Sequence, residues 1–87
     1  MGNPLVKKRE LNSTDSVIDL TLTSGYYNTL SYSIAQDLPS GLYNYSGLLL
    51  IFKYNDSRRY LIWFNNEGGL FVRWYWDSAW GNWKLFN

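Results

Sequence analysis

Residues 58–87 run RRYLIWFNNEGGLFVRWYWDSAWGNWKLFN, two alternating, aromatic-rich stretches on either side of a polar link that ends in Gly68-Gly69. Aromatic and β-branched runs bounded by Asn, Asp and Gly form strands, and two of them joined by a short Gly-containing link form a hairpin. Pairing Phe64 with Leu70 sets Ile62 against Val72 and Tyr60 against Trp74 on one side of the ribbon. The other side then pairs Trp63 with Phe71, Leu61 with Arg73 and Arg59 with Tyr75. The first side is wholly apolar and is expected to face the core, with Trp74 and Trp76 in the same phase. The second mixes rings with two guanidinium groups and is expected to meet solvent or a partner. A one-residue slip would exchange the two sides.

With 87 residues the chain makes one domain with little surplus burial, so most of its five tryptophans are needed inside and only a few rings are free for recognition. Cysteine and histidine are both absent, which removes disulfides, thiolate and imidazole chemistry and the usual zinc sites. A formal net charge of +1 gives no pull toward nucleic acid or anionic lipid. The one basic cluster, Lys7-Lys8-Arg9, is short, ends at Glu10 and reads as part of a solvated arm. The longest apolar run, residues 48–52, is too short to span a bilayer, and no apolar segment near Met1 suggests a signal peptide. Met1-Gly2 could open a myristoylation motif, but Val6 stands where Ser or Thr is required.

Residues 1–15 are polar, contain Pro4 and show no sustained period, which predicts a flexible arm or connector ahead of a domain over 16–87. Ile18, Leu20 and Leu22 alternate with polar residues and suggest a short strand or extended lead-in, broken at Ser24-Gly25. Residues 26–34 read as a half-buried strand with Tyr26, Leu30, Tyr32 and Ile34 on one face and Tyr27, Thr29, Ser31 and Ser33 on the other. Asp37-Leu38-Pro39-Ser40-Gly41 is a turn cluster, followed by a Tyr-containing loop. Residues 47–54 are apolar on both faces until Lys53, the mark of a central strand covered on both sides. Asn55-Asp56-Ser57 leads into the hairpin, and after Asp77-Ser78 a segment through Phe86 closes the domain. The pattern predicts a mainly β fold: a small antiparallel sheet or sandwich of five or six strands, with a Trp-rich C-terminal hairpin and a closing segment. A helical turn near 16–20 or 35–38 is compatible with it.

Three stretches in this order resemble the pyocin-knob type domain of phage tail-fibre and baseplate proteins and of R-type pyocins. Asp19-Leu20-Thr21 followed by Gly25-Tyr26-Tyr27 is similar to its opening. Leu38-Pro39-Ser40-Gly41 with Gly47-Leu48-Leu49-Leu50-Ile51 is similar to its middle. Residues 70–75 with Trp80-Gly81-Asn82-Trp83-Lys84-Leu85 look like its close. The likeness covers roughly residues 17–87; residues 27–37 have no matching pattern. It implies a domain of the virion tail, made in the bacterial cytoplasm, that attaches to a bacterial surface, commonly through cell-surface glycans. Other phage tail proteins are implied as neighbours.

No side-chain constellation argues for an enzyme. Asp19 and Asp37 could form a glycosidase-like carboxylate pair, but turn and capping roles explain them with less strain. Asp56 and Asp77 lack the dense spacing of a calcium loop. No cofactor or metal is expected. Sugars pack their C–H faces on Trp and Tyr while Arg, Asn and Asp hydrogen-bond their hydroxyls. The expected ligand-binding residues are therefore Arg59, Trp63, Arg73 and Tyr75 on the mixed hairpin face, Trp80 and Asn82 in the closing loop, and Tyr43 and Tyr45 in the middle loop. Alternatively Arg73 pairs with a carboxylate such as Asp77, and Trp80 and Trp83 plug the open end of the sheet. The functional expectation is a non-enzymatic module that binds a bacterial surface carbohydrate. The alternatives are a structural cap or homotrimerising domain, a dock for another tail protein, and a small phage protein that binds a host protein. Neither nucleic acid nor membrane is an expected partner.

Overall fold

The computed structural model describes residues 6–86. The strands are β1 (Lys7–Leu11), β2 (Gly25–Thr29), β3 (Gly47–Asn55), β4 (Arg58–Asn65), β5 (Leu70–Trp76), β6 (Ala79–Trp80) and β7 (Lys84–Phe86). They form one sheet in the order β1-β2-β3-β4-β5-β6, and β7 pairs with the same strand, β5, as β6 does. Every pairing is antiparallel except that of β1 with β2. Among the described residues there is no helix; residues 16–22 are two successive turns closed by Asp19 N–H to Ser16 O and Leu22 N–H to Asp19 O.

The hairpin pairs in the register read from its alternation: Phe64 opposite Leu70, Ile62 opposite Val72, Tyr60 opposite Trp74. Its faces are reversed. Leu61 and Trp63 are fully buried, together with Leu49 and Ile51 of β3 and Leu11 of β1, and Tyr27 of β2 is buried with them. Tyr60, Phe64 and Trp76 are exposed, and Trp74 is only half-buried on their side. In β2, Tyr27 and Thr29 are inside, and the strand stops at Thr29 instead of running to Ile34.

The core side is decided by what covers it. Two long connections, residues 12–24 and 30–46, lie over one face and contribute Val17, Leu22 and Ala35 to the core, with Leu38, Leu42 and Tyr45 packed against it. Such connections bring backbone carbonyls that need donors, and the mixed face supplies them. The Arg59 guanidinium, 3% exposed, donates to Leu22 O and Leu20 O, both at 2.8 Å. Trp63 Nε1–H donates to Thr29 Oγ1 at 2.9 Å, Thr29 Oγ1–H to Tyr45 O at 2.8 Å, and Asn65 Nδ2–H to Asn44 O at 2.6 Å. The wholly apolar face could bury its surface but could not satisfy the loops.

Residues 7–15 belong to the domain and do not form a separate arm. β1 docks parallel to β2, Tyr26 N–H donates to Val6 O at 2.9 Å, and Leu11 is fully buried. Gly25 allows this docking, because a Cβ there would collide with Val6 O. Gly47 does the same for the β3–β4 pair, where a Cβ would meet Phe64 O and Trp63 Nε1. Only the last residue of β1 faces inward, so its sequence carried no alternation. A two-point ion pair, Arg9 Nη1 and Nη2 to the Asp15 carboxylate, each at 2.9 Å, ties β1 to the turn after it. The expectations for Met1, Gly2 and Pro4 lie outside the described residues. The alternation at Ile18, Leu20 and Leu22 is not a strand, because Asp19 Oδ1 accepts from Thr21 N–H and Oγ1–H and holds the turn.

Two outcomes follow. Arg59→Ala leaves the carbonyls of Leu22, buried, and Leu20, partly buried, without their donor and lowers unfolding free energy by about 2–4 kcal/mol in urea titrations. Arg9 holds the Asp15 carboxyl below the usual range, first by hydrogen bonding. Its contribution is therefore complete above the ordinary carboxylate pKa of about 3.9 and is lost as pH falls through the lower folded value. For an exposed pair that contribution is under about 1 kcal/mol. Comparing the acid limb of the stability curve for the parent and Asp15→Asn isolates it.

Candidate ligand-binding site

On the covered face, Arg73 and Tyr75 follow one another along β5, opposite Leu61 and Arg59. The chain then reverses through Asp77-Ser78, with φ of 54° and 68°, and returns Trp80 opposite Tyr75. Positive φ at both central residues gives the turn twist that tight hairpins favour. The Tyr75 and Trp80 ring centroids lie 5.2 Å apart at 51°. Gly81 N–H still donates to Trp74 O at 2.9 Å; Asn82 then stands exposed, and Trp83 folds back to donate from Nε1–H to Asp37 O at 2.7 Å.

These elements enclose Arg73. Its guanidinium carbon lies 5.1 Å from the Trp80 ring centroid and 5.6 Å from that of Trp83. Both indoles are half-buried and pack against the core. Among the described residues the ion pairs are Arg9–Asp15 and Lys53–Asp56, so Arg73 has no carboxylate partner. Its Nε–H is buried with no acceptor. Burial pushes the guanidinium pKa down, opposed by the Asp37 carboxylate, yet an arginine stays charged across the working pH range. Asp37 itself, at φ 70°, accepts from Ser16 Oγ–H at 2.6 Å. The result is a cation flanked by two aromatic faces, with unused donors.

The structure divides the residues expected to bind. Arg73, Tyr75 and Trp80 come together, with Asn82 at their edge. Arg59 and Trp63 are inside, because their polar atoms hold the covering loops and each other's neighbours. Tyr45 stacks on Trp63, centroids 6.3 Å apart at 21°. Tyr43 is 96% exposed on the covering loop, and no ring or hydrogen-bond contact joins it to the cluster among the described residues. Trp83 is the cluster member absent from the expected set; its spacing from Trp80 was the available signal. The carbonyl of Asp37 that anchors it comes from 46 residues away in sequence and left none.

The architecture is a single antiparallel-dominated sheet, covered on one face by irregular loops, with an arginine–tryptophan cluster at the end of its C-terminal hairpin. No protein-family model and no curated protein matches the sequence. The fold matches the solved structure of a C-terminal fragment of the R1 pyocin fibre of P. aeruginosa. The TM-score is 0.76 over 94% of this chain, at 18% sequence identity, and the chain spans 22% of the length of that fragment. The fold of this chain is thus that of a segment of a pyocin fibre, as the three motif stretches imply.

Ser78 lies left-handed, where an L side chain costs about 1–2 kcal/mol. Ser78→Gly, net of glycine's entropy, is expected to raise unfolding free energy by about 0.5–1 kcal/mol. Thermal unfolding followed by tryptophan fluorescence checks it, with the Tyr75–Trp80 pairing preserved.

Proposed function

We propose that this chain is a tail-fibre-like domain of a phage or pyocin-type particle, and that it binds a bacterial surface carbohydrate at the Arg73–Trp80–Trp83 cluster. The observation that carries the reading is the half-buried Arg73 guanidinium, held between two indoles with no carboxylate partner. A saccharide would lay its C–H face on an indole and take hydrogen bonds from the guanidinium and from Asn82, an arrangement suited to a ring-shaped ligand rich in hydroxyls. Tyr75 sets the position of Trp80. The pyocin-fibre fold supports placement in the virion tail.

The domain is read as binding without catalysis. Asp19 is engaged by Thr21 and Asp37 by Ser16, both in turns, so the two carboxylates weighed as a pair serve turn structure.

Isothermal titration with a panel of purified capsular, lipopolysaccharide and cell-wall polysaccharides tests the reading. Saturable binding to at least one is expected. Arg73→Lys keeps the charge but loses the planar fork and should weaken binding about tenfold or more. Tyr43→Ala, remote from the cluster, should bind like the parent. If no polysaccharide binds at millimolar concentration, or Arg73→Lys and Trp83→Phe bind as the parent does, the reading fails.

A further inference from the structure

Among the described residues, a single buried side-chain nitrogen or oxygen lacks a hydrogen-bond partner, and it is Arg73 Nε. Folded proteins pair nearly all such atoms, and an unpaired one that belongs to a charged group is the more expensive kind. The other arginines differ. Arg9 closes on the Asp15 carboxylate through both terminal nitrogens at 2.9 Å. Arg59 spends two hydrogen bonds of 2.8 Å on loop carbonyls. Arg58 lies 3.8 Å above the Trp76 ring and leaves no buried N–H unpaired. Arg73 Nη1 and Nη2 make no hydrogen bond to the described residues and are not buried, so a ligand can reach them.

A carboxylate stands close by and is not used. Asp37 favours the charged form of Arg73, yet it lies beyond ion-pair distance. Its Oδ2 accepts from Ser16 Oγ–H at 2.6 Å, and its carbonyl accepts from Trp83 Nε1–H at 2.7 Å. Both bonds hold the residue in its turn, at φ 70°. The Trp80 and Trp83 rings ease the charge of Arg73 but offer no oxygen to its N–H groups. Burial has meanwhile removed part of the water that would otherwise compensate it. A sugar hydroxyl can accept one N–H and leaves the charge in place. An anionic pair of oxygens accepts two and neutralises it, through bonds roughly twice as strong as neutral ones.

We propose that the saccharide bound at the Arg73–Trp80–Trp83 cluster carries an anionic group, a carboxylate or a phosphate, and that this group docks end-on at the terminal nitrogens of Arg73. The inference rests on the carbohydrate reading and narrows it from sugars in general to acidic ones. The planar guanidinium fork matches the oxygen spacing of either anion. The sugar ring lies against an indole, its hydroxyls reach Asn82, and its acidic group supplies the counter-charge that the chain keeps at a distance. Asp37 then tempers the affinity, because its own charge opposes the incoming anion.

Isothermal titration of the intact chain with purified polysaccharides, grouped as neutral, carboxylate-bearing and phosphate-bearing, tests the proposal. Saturable binding is expected in the acidic groups only. Reducing the carboxylates of a bound polysaccharide to alcohols, or stripping its phosphates with hydrofluoric acid, identifies the source of the anion. The matching treatment should weaken binding about tenfold or more. Asp37→Asn can still accept from Ser16, and asparagine suits a left-handed backbone. By removing the opposing charge it should tighten binding of the acidic polysaccharide about two- to fivefold. The proposal is overturned, with carbohydrate binding left standing, if neutral polysaccharides bind as tightly as acidic ones. Affinity that survives both treatments, or an Asp37→Asn variant that binds no tighter, overturns it in the same way. No binding in any group removes both the proposal and the carbohydrate reading beneath it.

Discussion

Side chains of one sheet face donating to loop carbonyls hold this domain together. Arg59 holds the connection over residues 12–24 at the carbonyls of Leu20 and Leu22, while Thr29 and Asn65 hold that over 30–46 at Tyr45 and Asn44. The two connections are also knitted to each other, with Val17 N–H donating to Gln36 O and Gln36 N–H to Asp15 O. Neither has a regular ladder of its own, and a buried carbonyl without a donor is expensive. A core guanidinium with two good acceptors removes that penalty, and the residue lies on the covered face between Lys53 and Tyr75 in the register.

This explains which parts of the structure were legible. Pairing within 58–76 was readable residue by residue, because strand alternation and the Gly68-Gly69 link fix the register locally. The side that becomes core was not. Hydrophobic alternation marks the face that prefers to leave water, and here both faces qualify. The choice rests on hydrogen bonds between residues such as Arg59 and Leu20, 39 positions apart. β1 was hidden for a related reason: it joins through its backbone and Leu11 alone. The strand read at Ile18, Leu20 and Leu22 lost to side-chain capping by Asp19, a competition that period-counting does not register.

The same reversal reshapes the binding site. Once the mixed face is inside, Arg59 and Trp63 are committed to the core, and only its far end, where covering loops give way to Trp80 and Trp83, keeps a guanidinium with unused donors. Arg73 and Arg59 lie on the same face of neighbouring strands; loop carbonyls accept from Arg59, whereas Trp80 and Trp83 flank Arg73. The chemistry available to each arginine follows from how far the loops extend.

The unequal spacing of the strands sets an order of assembly. β3, β4 and β5 are joined through residues 56–57 and 66–69, so their contacts form early and at small loss of chain entropy. β1 must wait for β2, which reaches the sheet only after residues 30–46 have closed, and it arrives as a parallel edge held at its inner end by Leu11. By sequence separation alone, the three-stranded meander has the least chain entropy to lose on closing, and the N-terminal strand has the most.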